Sequence, residues 1–148
     1  MKKLFIKSCL YVLLILLVLE GVVRVFHLYN ELPIEYVSNE DGIVKWIPGQ
    51  KGVTVYGNRR QHYSEYKIND KGYNSYREFI PTKDKLELAF LGDSYIEGFH
   101  QNYYSSIGKK IEKKLPNIEV YEFGHSANDF ADQMYLLDKN RDYFSLID

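Results

Sequence analysis

The sequence predicts an α/β fold with a parallel sheet, preceded by a β-rich segment and one N-terminal transmembrane helix. Three observations support this prediction: an apolar stretch at residues 4–23, a polar and turn-rich stretch that follows it, and strand and helix patterns that alternate from residue 87 onward. Such an alternation is typical of a parallel sheet with right-handed crossovers. The predicted organisation is an anchor at residues 1–29, a lead-in segment at residues 30–85 and an α/β domain at residues 86–148.

Composition and charge narrow the class of protein. Of the 148 residues, 45% are apolar and 26% are charged. These values lie close to the globular average, which argues against wholesale disorder and against a polytopic membrane protein. The net charge of −1 gives no basic excess for binding nucleic acid. The single cysteine, Cys9, excludes an intramolecular disulfide and a zinc site built from several cysteines.

The apolar stretch at residues 4–23 predicts a membrane anchor. As a helix it would span about 30 Å, the thickness of one bilayer core. Lys2, Lys3 and Lys7 lie at its start and only Arg24 follows closely, so the positive-inside rule places the N-terminus in the cytoplasm and the remaining chain outside the membrane. A cleaved signal peptide and a buried core helix are the alternatives. The sequence lacks the small residues of a cleavage site after the apolar run, which favours an uncleaved anchor.

Strand patterns occur in both parts of the remaining chain. The lead-in has candidate strands at residues 43–46, 53–56 and 66–68, separated by turn-forming segments. In the α/β part, the apolar runs 87–91 and 118–123 predict two buried parallel strands. These two runs end at Gly92 and Gly124, and residues 144–148 resemble the approach to a third strand.

Two helices are predicted to connect these strands. Pro116 ends the first one, because proline cannot continue a helix. Asn128 or Ser126 is the expected cap of the second helix. The apolar stripes that predict the two helices are formed by Ile107, Ile111 and Leu115 and by Phe130, Met134 and Leu137.

The candidate for chemistry is the tripeptide Gly92-Asp93-Ser94. A serine at the carboxyl end of a parallel strand stands where open α/β sheets bind their ligands. Gly92 permits a tight turn after the strand, and the backbone N–H of Ser94 would be free to stabilise an oxyanion at the start of a helix. Gly98 would let the backbone approach a substrate closely, whereas Asp93 receives no role from the sequence. We expect Ser94 to lie beside Gly124, because the ends of neighbouring parallel strands share one edge of the sheet.

Residues 88–98, which read LAFLGDSYIEG, resemble the first conserved block of the SGNH/GDSL hydrolase family. Residues 120–124 are similar to its second block, and residues 68–73 and 19–24 are similar to segments of its membrane-anchored members. The resemblance implies a flavodoxin-like sheet, Ser94 as the nucleophile, and an oxyanion hole formed by the backbone N–H groups of Ser94 and Gly124. It implies no cofactor and no metal.

Two blocks of that family are missing from the sequence. The family also has an asparagine after the third strand and an Asp-x-x-His motif that supplies the base, and neither is present. Residues 126–129 resemble the asparagine block but follow the second strand, so we assign Asn128 to helix capping. The resemblance therefore covers an incomplete hydrolase domain that ends after the second βα unit, and we expect little esterase activity from this chain alone.

Two histidines occur at a spacing that resembles a catalytic motif. Glu97-x-x-His100 and Glu122-x-x-His125 follow the two predicted strands. Chance spacing on exposed loops is the favoured interpretation, and a substitute base or a metal site is the alternative. Because a serine without a base is a poor nucleophile, the role of these histidines bears on activity.

The function predicted from the resemblance is ester hydrolysis or acyl transfer through an acyl-serine intermediate. Substrates outside the membrane would be acetylated cell-surface glycans, lipids or small esters. The alternative is a non-catalytic, membrane-tethered interaction domain derived from the same fold, which the missing base favours.

Overall fold

The computed structural model describes residues 2–26, 28–57 and 60–147. Two compact units are present, residues 1–30 and residues 31–148. The elements are α1 (Lys2–Val25), β1 (Glu35–Val37), β2 (Val44–Trp46), β3 (Lys51–Tyr56), β4 (His62–Lys67), β5 (Leu86–Gly92), α2 (Ser94–Glu97), a 3-10 turn (Tyr103–Ser105), α3 (Ile107–Lys114), β6 (Ile118–Gly124), α4 (Phe130–Lys139) and α5 (Arg141–Phe144).

The first unit contains the long apolar helix α1. Its 24 residues include a window with a mean hydropathy of 2.3, and none of its residues is buried. Near its end, Arg24 Nε donates to Glu20 Oε1 at 2.7 Å, an i,i+4 pair on one helix face. The prediction of one long apolar N-terminal helix is confirmed, and its length and composition are those of a helix that can cross a membrane.

The lead-in forms two antiparallel hairpins. Strands β1 and β2 pair from Glu35 opposite Trp46, and β3 and β4 pair from Lys51 opposite Lys67. The sequence missed β1, because all three of its residues are exposed and no apolar alternation marks it. It also placed the last strand too late, because β4 buries the polar Ser64 beside Tyr66 and so shows a weak pattern.

Strands β5 and β6 form the predicted parallel sheet. Their register runs from Leu86 opposite Ile118 to Gly92 opposite Gly124, and α3 connects them. The order strand–helix–strand in a parallel pair confirms the mixed α/β class. The two strands extend one or two residues beyond the apolar runs that predicted them.

Helix α4 starts at a different cap from the one predicted. Asp129 is its N-cap and accepts from the backbone N–H of Ala131 and Asp132, and Asp132 accepts from the N–H of Asp129 in return. The assignment of the cap to Asn128 or Ser126 is therefore wrong. Asn and Asp cap helices almost equally well, and the reciprocal bond to Asp132 favours Asp129 here.

Helix α4 also buries a different face from the one predicted. Leu136 is only 1% exposed, whereas Phe130 and Met134 are 75% and 49% exposed. Leu137 continues the stripe of Phe130 and Met134, whereas Leu136 lies only two positions after Met134, so periodicity favoured the wrong leucine and tertiary packing overrides it.

The described part of residues 144–148 is not an approach to a strand. Helix α5 ends at Phe144, and a turn follows at residues 145–146. The aromatic ring of Phe144 packs on Phe123 of β6 with centroids 5.0 Å apart, and Tyr143 stacks on Phe144. These contacts hold the segment in a helical turn against the sheet; Asp148 lies outside the described residues.

Two aromatic-rich clusters form the core of the second unit. Both contain residues from the lead-in and from the α/β part, so these two parts share their buried surface. The first cluster consists of Trp46, Tyr66, Ile68 and Phe99, and the second of Tyr73, Tyr121, Phe123 and Leu136.

A buried ion pair joins β2 to the turn that precedes it. Lys45 Nζ contacts Asp41 Oδ2 at 2.5 Å, with 8% and 4% of the two side chains exposed. Asn140 at the end of α4 donates to the same Asp41 oxygen at 3.2 Å. Burial opposes the ionisation of Asp41, but its hydrogen bonds, above all that from Lys45, outweigh burial and hold its pKa below the ordinary value.

Candidate functional site

Ser94 lies at a strand-to-helix turn. Strand β5 ends at Gly92, and Ser94 is the first residue of the single-turn helix α2. Asp93 caps this helix, since its side chain accepts from the N–H of Tyr95 at 3.0 Å. Gly98 closes the turn with φ at +67°, and its N–H donates to the carbonyl of Ser94 at 3.0 Å. Asp93 thus shapes the backbone that presents Ser94, a role that the sequence alone did not assign.

Gly124 lies against helix α2. It is the register partner of Gly92, so Ser94 and Gly124 follow or end neighbouring parallel strands at the same edge of the sheet, as predicted. A Cβ atom on Gly124 would lie 2.5 Å from the carbonyl carbon of Ile96 and 2.7 Å from the Cα of Glu97. Only glycine therefore lets α2 pack this closely on the end of β6.

A cavity of about 360 Å³ opens at Ser94. Ser94 itself is half-buried, and its hydroxyl has no hydrogen-bond partner among the described residues. The Ser94 hydroxyl is therefore available to a molecule that binds in the cavity. It is lined by His62, Ser94, Tyr95, Gly98, His100 and Gln101.

His100 reaches this cavity because the loop after α2 is anchored. The hydroxyls of Thr54 in β3 and Ser64 in β4 both donate to the carbonyl of Phe99, the residue before it. The exposed His100 ring packs edge-on against Tyr56 with centroids 4.5 Å apart. The β3–β4 hairpin of the lead-in thus fixes one wall of the cavity, to which it also contributes His62.

Glu97 does not pair with His100, which agrees with chance spacing as the favoured interpretation, but Glu97 is buried and does not lie on an exposed loop. Glu97 is 3% exposed, and its carboxylate accepts from Trp46 Nε1 at 2.9 Å. It also accepts from the backbone N–H of Ser126 at 3.1 Å and from the Ser126 hydroxyl. The motif Glu97-x-x-His100 therefore splits into a buried carboxylate and an imidazole at the cavity.

His125 belongs to the surroundings of Trp46 and not to the Ser94 cavity. Its buried ring stacks on Trp46 with centroids 5.0 Å apart, and its Nδ1 lies 3.0 Å from the carbonyl oxygen of Ser126. Its Nε2 lies 3.7 Å from Glu35 Oε1 and forms no hydrogen bond within the described part of the chain.

Glu122 and His125 do not form a pair either. Glu122 contacts the start of α3, whereas the His125 ring stacks on Trp46, so the two side chains have separate surroundings. Glu122 Oε1 accepts from the N–H of Gly108 at 2.9 Å at the start of α3, and burial raises the pKa of this carboxyl. Within residues 2–26, 28–57 and 60–147, no group of three or more His, Cys, Asp or Glu side chains is arranged to hold a metal ion.

The lead-in contributes residues to the site that no sequence pattern indicated. Trp46 and His62 lie 48 and 32 positions before Ser94 along the chain, and no local pattern connects them to it. The one hint was composition, because Trp46 is the only tryptophan of the chain.

Comparisons with protein-family profiles, with curated proteins and with solved structures found no match. The chemical interpretation of the site therefore depends on its own geometry: a serine at a helix start, a glycine on the neighbouring strand, and two imidazoles around one cavity.

Proposed function

We propose that this chain is a membrane-anchored serine hydrolase or acyltransferase of the SGNH/GDSL type, with Ser94 as its nucleophile. The observation that carries the proposal is the placement of Ser94 at the start of α2, beside Gly124 at the end of the adjacent parallel strand, and open to a cavity. The flavodoxin-like sheet of that family, of which β5 and β6 would be two strands, is part of the same proposal.

The proposed reaction begins with attack of Ser94 Oγ on the acyl carbon of an ester. The hydroxyl proton passes to a base, and the carbonyl oxygen becomes an oxyanion held by the backbone N–H groups of Ser94 and Gly124. Collapse breaks the bond to the alcohol, which leaves with a proton, and an acyl-serine remains. Water then regenerates Ser94 in hydrolysis, or a second alcohol takes the acyl group in transfer.

A base must lie near Ser94 for this chemistry. Within the described residues, His62 and His100 are the imidazoles that line the Ser94 cavity, whereas His125 is buried against Trp46. Of the two histidines that the sequence singled out, only His100 lines the Ser94 cavity, which supports it as the proposed base.

The proposed substrates are small or acetylated esters outside the membrane. A cavity of about 360 Å³ is near the lower end of small-molecule sites, which suits a short acyl group on a glycan, a lipid or a small alcohol. The basic N-terminal flank of α1 supports a cytoplasmic N-terminus with residues 31–148 on the other side of the membrane.

The test is covalent labelling of the purified full chain in mild detergent with a fluorophosphonate. The probe forms an Oγ–P bond and releases fluoride, so it requires a reactive serine but no complete turnover. We expect peptide mapping to place the label on Ser94, none on the Ser94→Ala variant, and slower labelling of His100→Gln. A folded chain that is not labelled at Ser94 would contradict the proposal and favour a non-catalytic tethered domain.

A further inference from the structure

Glu97 is a buried carboxylate with no ion pair among the described residues. It is 3% exposed, and its partners are the indole Nε1 of Trp46 and the backbone N–H and hydroxyl of Ser126. A carboxylate placed in a protein interior without a cation is costly unless hydrogen bonds compensate it. Neutral donors from two separate segments supply that compensation here, so the contacts restrain both segments.

Both the backbone and the side chain of Glu97 are held in place. Its backbone carbonyl accepts from Asn74 Nδ2 at 2.8 Å, and its Cα would be 2.7 Å from a Cβ on Gly124. The backbone of Glu97 therefore lies against Gly124, and its side chain reaches two residues further, to Ser126. Glu97 thus contacts the β6 end on both sides of His125.

Trp46 fixes the direction of the Glu97 side chain. The indole is 6% exposed, stacks on His125 and meets Phe99 edge-on with centroids 5.5 Å apart. Because the ring is packed on two sides, the direction of its N–H is fixed. The hydrogen bond of 2.9 Å that this N–H donates to Glu97 Oε1 therefore has a fixed direction. Trp46 belongs to β2 of the lead-in, which links that hairpin to the Ser94 site.

We propose that Glu97, oriented by Trp46, is a positioning residue that holds the segment from Gly124 to Ser126 and thereby the Gly124 N–H of the oxyanion hole. The inference rests on the proposed function of Ser94. Glu97 does not touch the reacting atoms; it acts through the backbone of the loop after β6. Loss of one oxyanion donor costs about 10²–10³-fold in rate, and a displacement of about 1 Å costs up to about 10²-fold.

The experiment compares Glu97→Ala and Glu97→Gln with Glu122→Ala in the full chain. Glu122 is the matched control, since it is also a buried carboxylate of the same region but accepts from Gly108 and not from the loop after β6. We expect Glu97→Ala to lower the maximal rate of fluorophosphonate labelling by about 10²-fold, with little change in the concentration for half-maximal rate. Glu122→Ala should keep the wild-type rate.

Glu97→Gln separates positioning from a general loss of structure. The amide oxygen of glutamine can accept from Trp46 and from the Ser126 N–H, and its NH₂ can donate to the Ser126 hydroxyl. This variant should therefore recover most of the labelling rate. Amide hydrogen exchange gives a readout that does not depend on the reactivity of Ser94. The Ser126 N–H should exchange faster than in the wild type in Glu97→Ala and at the wild-type rate in Glu122→Ala.

The outcomes separate the two proposals. A folded wild-type chain that is not labelled at Ser94 overturns the proposed function and this inference with it. A reactive wild type whose Glu97→Ala variant labels as fast as Glu122→Ala overturns the positioning role alone. Unchanged exchange at Ser126 in Glu97→Ala also overturns it, because the carboxylate would then not hold the loop.

Discussion

Substitution of Gly124 by alanine tests the close packing between α2 and the end of β6. The added Cβ would lie 2.5 Å from the Ile96 carbonyl carbon and 2.7 Å from the Glu97 Cα, and both are backbone atoms. Backbone cannot rotate aside as a side chain can, so α2 must shift as a whole. Gly92→Ala is the matched comparison, because its Cβ would meet the side chain of Ile96, which can change rotamer.

Overpacking of this kind costs about 1–3 kcal/mol of the free energy of unfolding. We place Gly124→Ala at about 3 kcal/mol and Gly92→Ala at about 1 kcal/mol, because only the former meets backbone. For a unit of this size, about 4 °C of melting temperature corresponds to each kcal/mol, which predicts a fall of about 12 °C for Gly124→Ala.

The assay is thermal unfolding of the full chain followed by tryptophan emission. Trp46 is the only tryptophan and lies in the unit of residues 31–148, so its emission reports on that unit and not on α1. A Gly124→Ala variant that melts within about 2 °C of the wild type, or no lower than Gly92→Ala, would refute the close packing of α2 on β6.

Four further predictions concern stability and location. Lys45→Met should cost about 3 kcal/mol, measured by thermal unfolding at pH 7, because it leaves Asp41 buried without its cation. The pKa of Asp41 is lowered from its ordinary value of 3.8 in the folded state, so protonation of this carboxyl destabilises the fold. Wild-type stability should therefore fall as the pH drops below about 4, and Asp41→Asn should flatten this fall. Asp129→Ala should cost about 1 kcal/mol and Asn128→Ala almost nothing; equal losses would contradict the cap assignment. Carbonate extraction should leave the chain in the membrane pellet, and its recovery in the supernatant would contradict an anchor at α1.

The sequence predicted the part of the site whose signals are local. An apolar run followed by Gly92 predicted the end of β5, and the same pattern at Gly124 predicted the end of β6. Because parallel strands share an edge, these two ends also placed Ser94 beside Gly124. A buried strand and its closing turn lie within about ten residues, and the information needed to recognise them is therefore contiguous.

The rest depends on contacts between distant segments or on choices between near-equal neighbours. Trp46 meets Glu97 across 51 positions, and no periodicity relates the two residues. At α4, the apolar pattern favours Leu137, but packing with Tyr121 and Phe123 of β6 buries Leu136 instead. At its start, Asn128 and Asp129 have the same capping preference, and a reciprocal side-chain bond decides.

The bond between Trp46 and the Glu97–Ser126 loop also has a consequence for how the protein is made. Trp46 leaves the ribosome about 80 residues before Ser126, and at about 5–20 residues per second this interval lasts roughly 4–16 s. Strand β5 and Phe99 follow within that interval, but until its end the hairpins of the lead-in exist without a complete β6, and Trp46 lacks its later neighbour His125. The nascent hairpins are therefore the segment in which exposure to a membrane surface or a chaperone would matter most for the yield of folded protein.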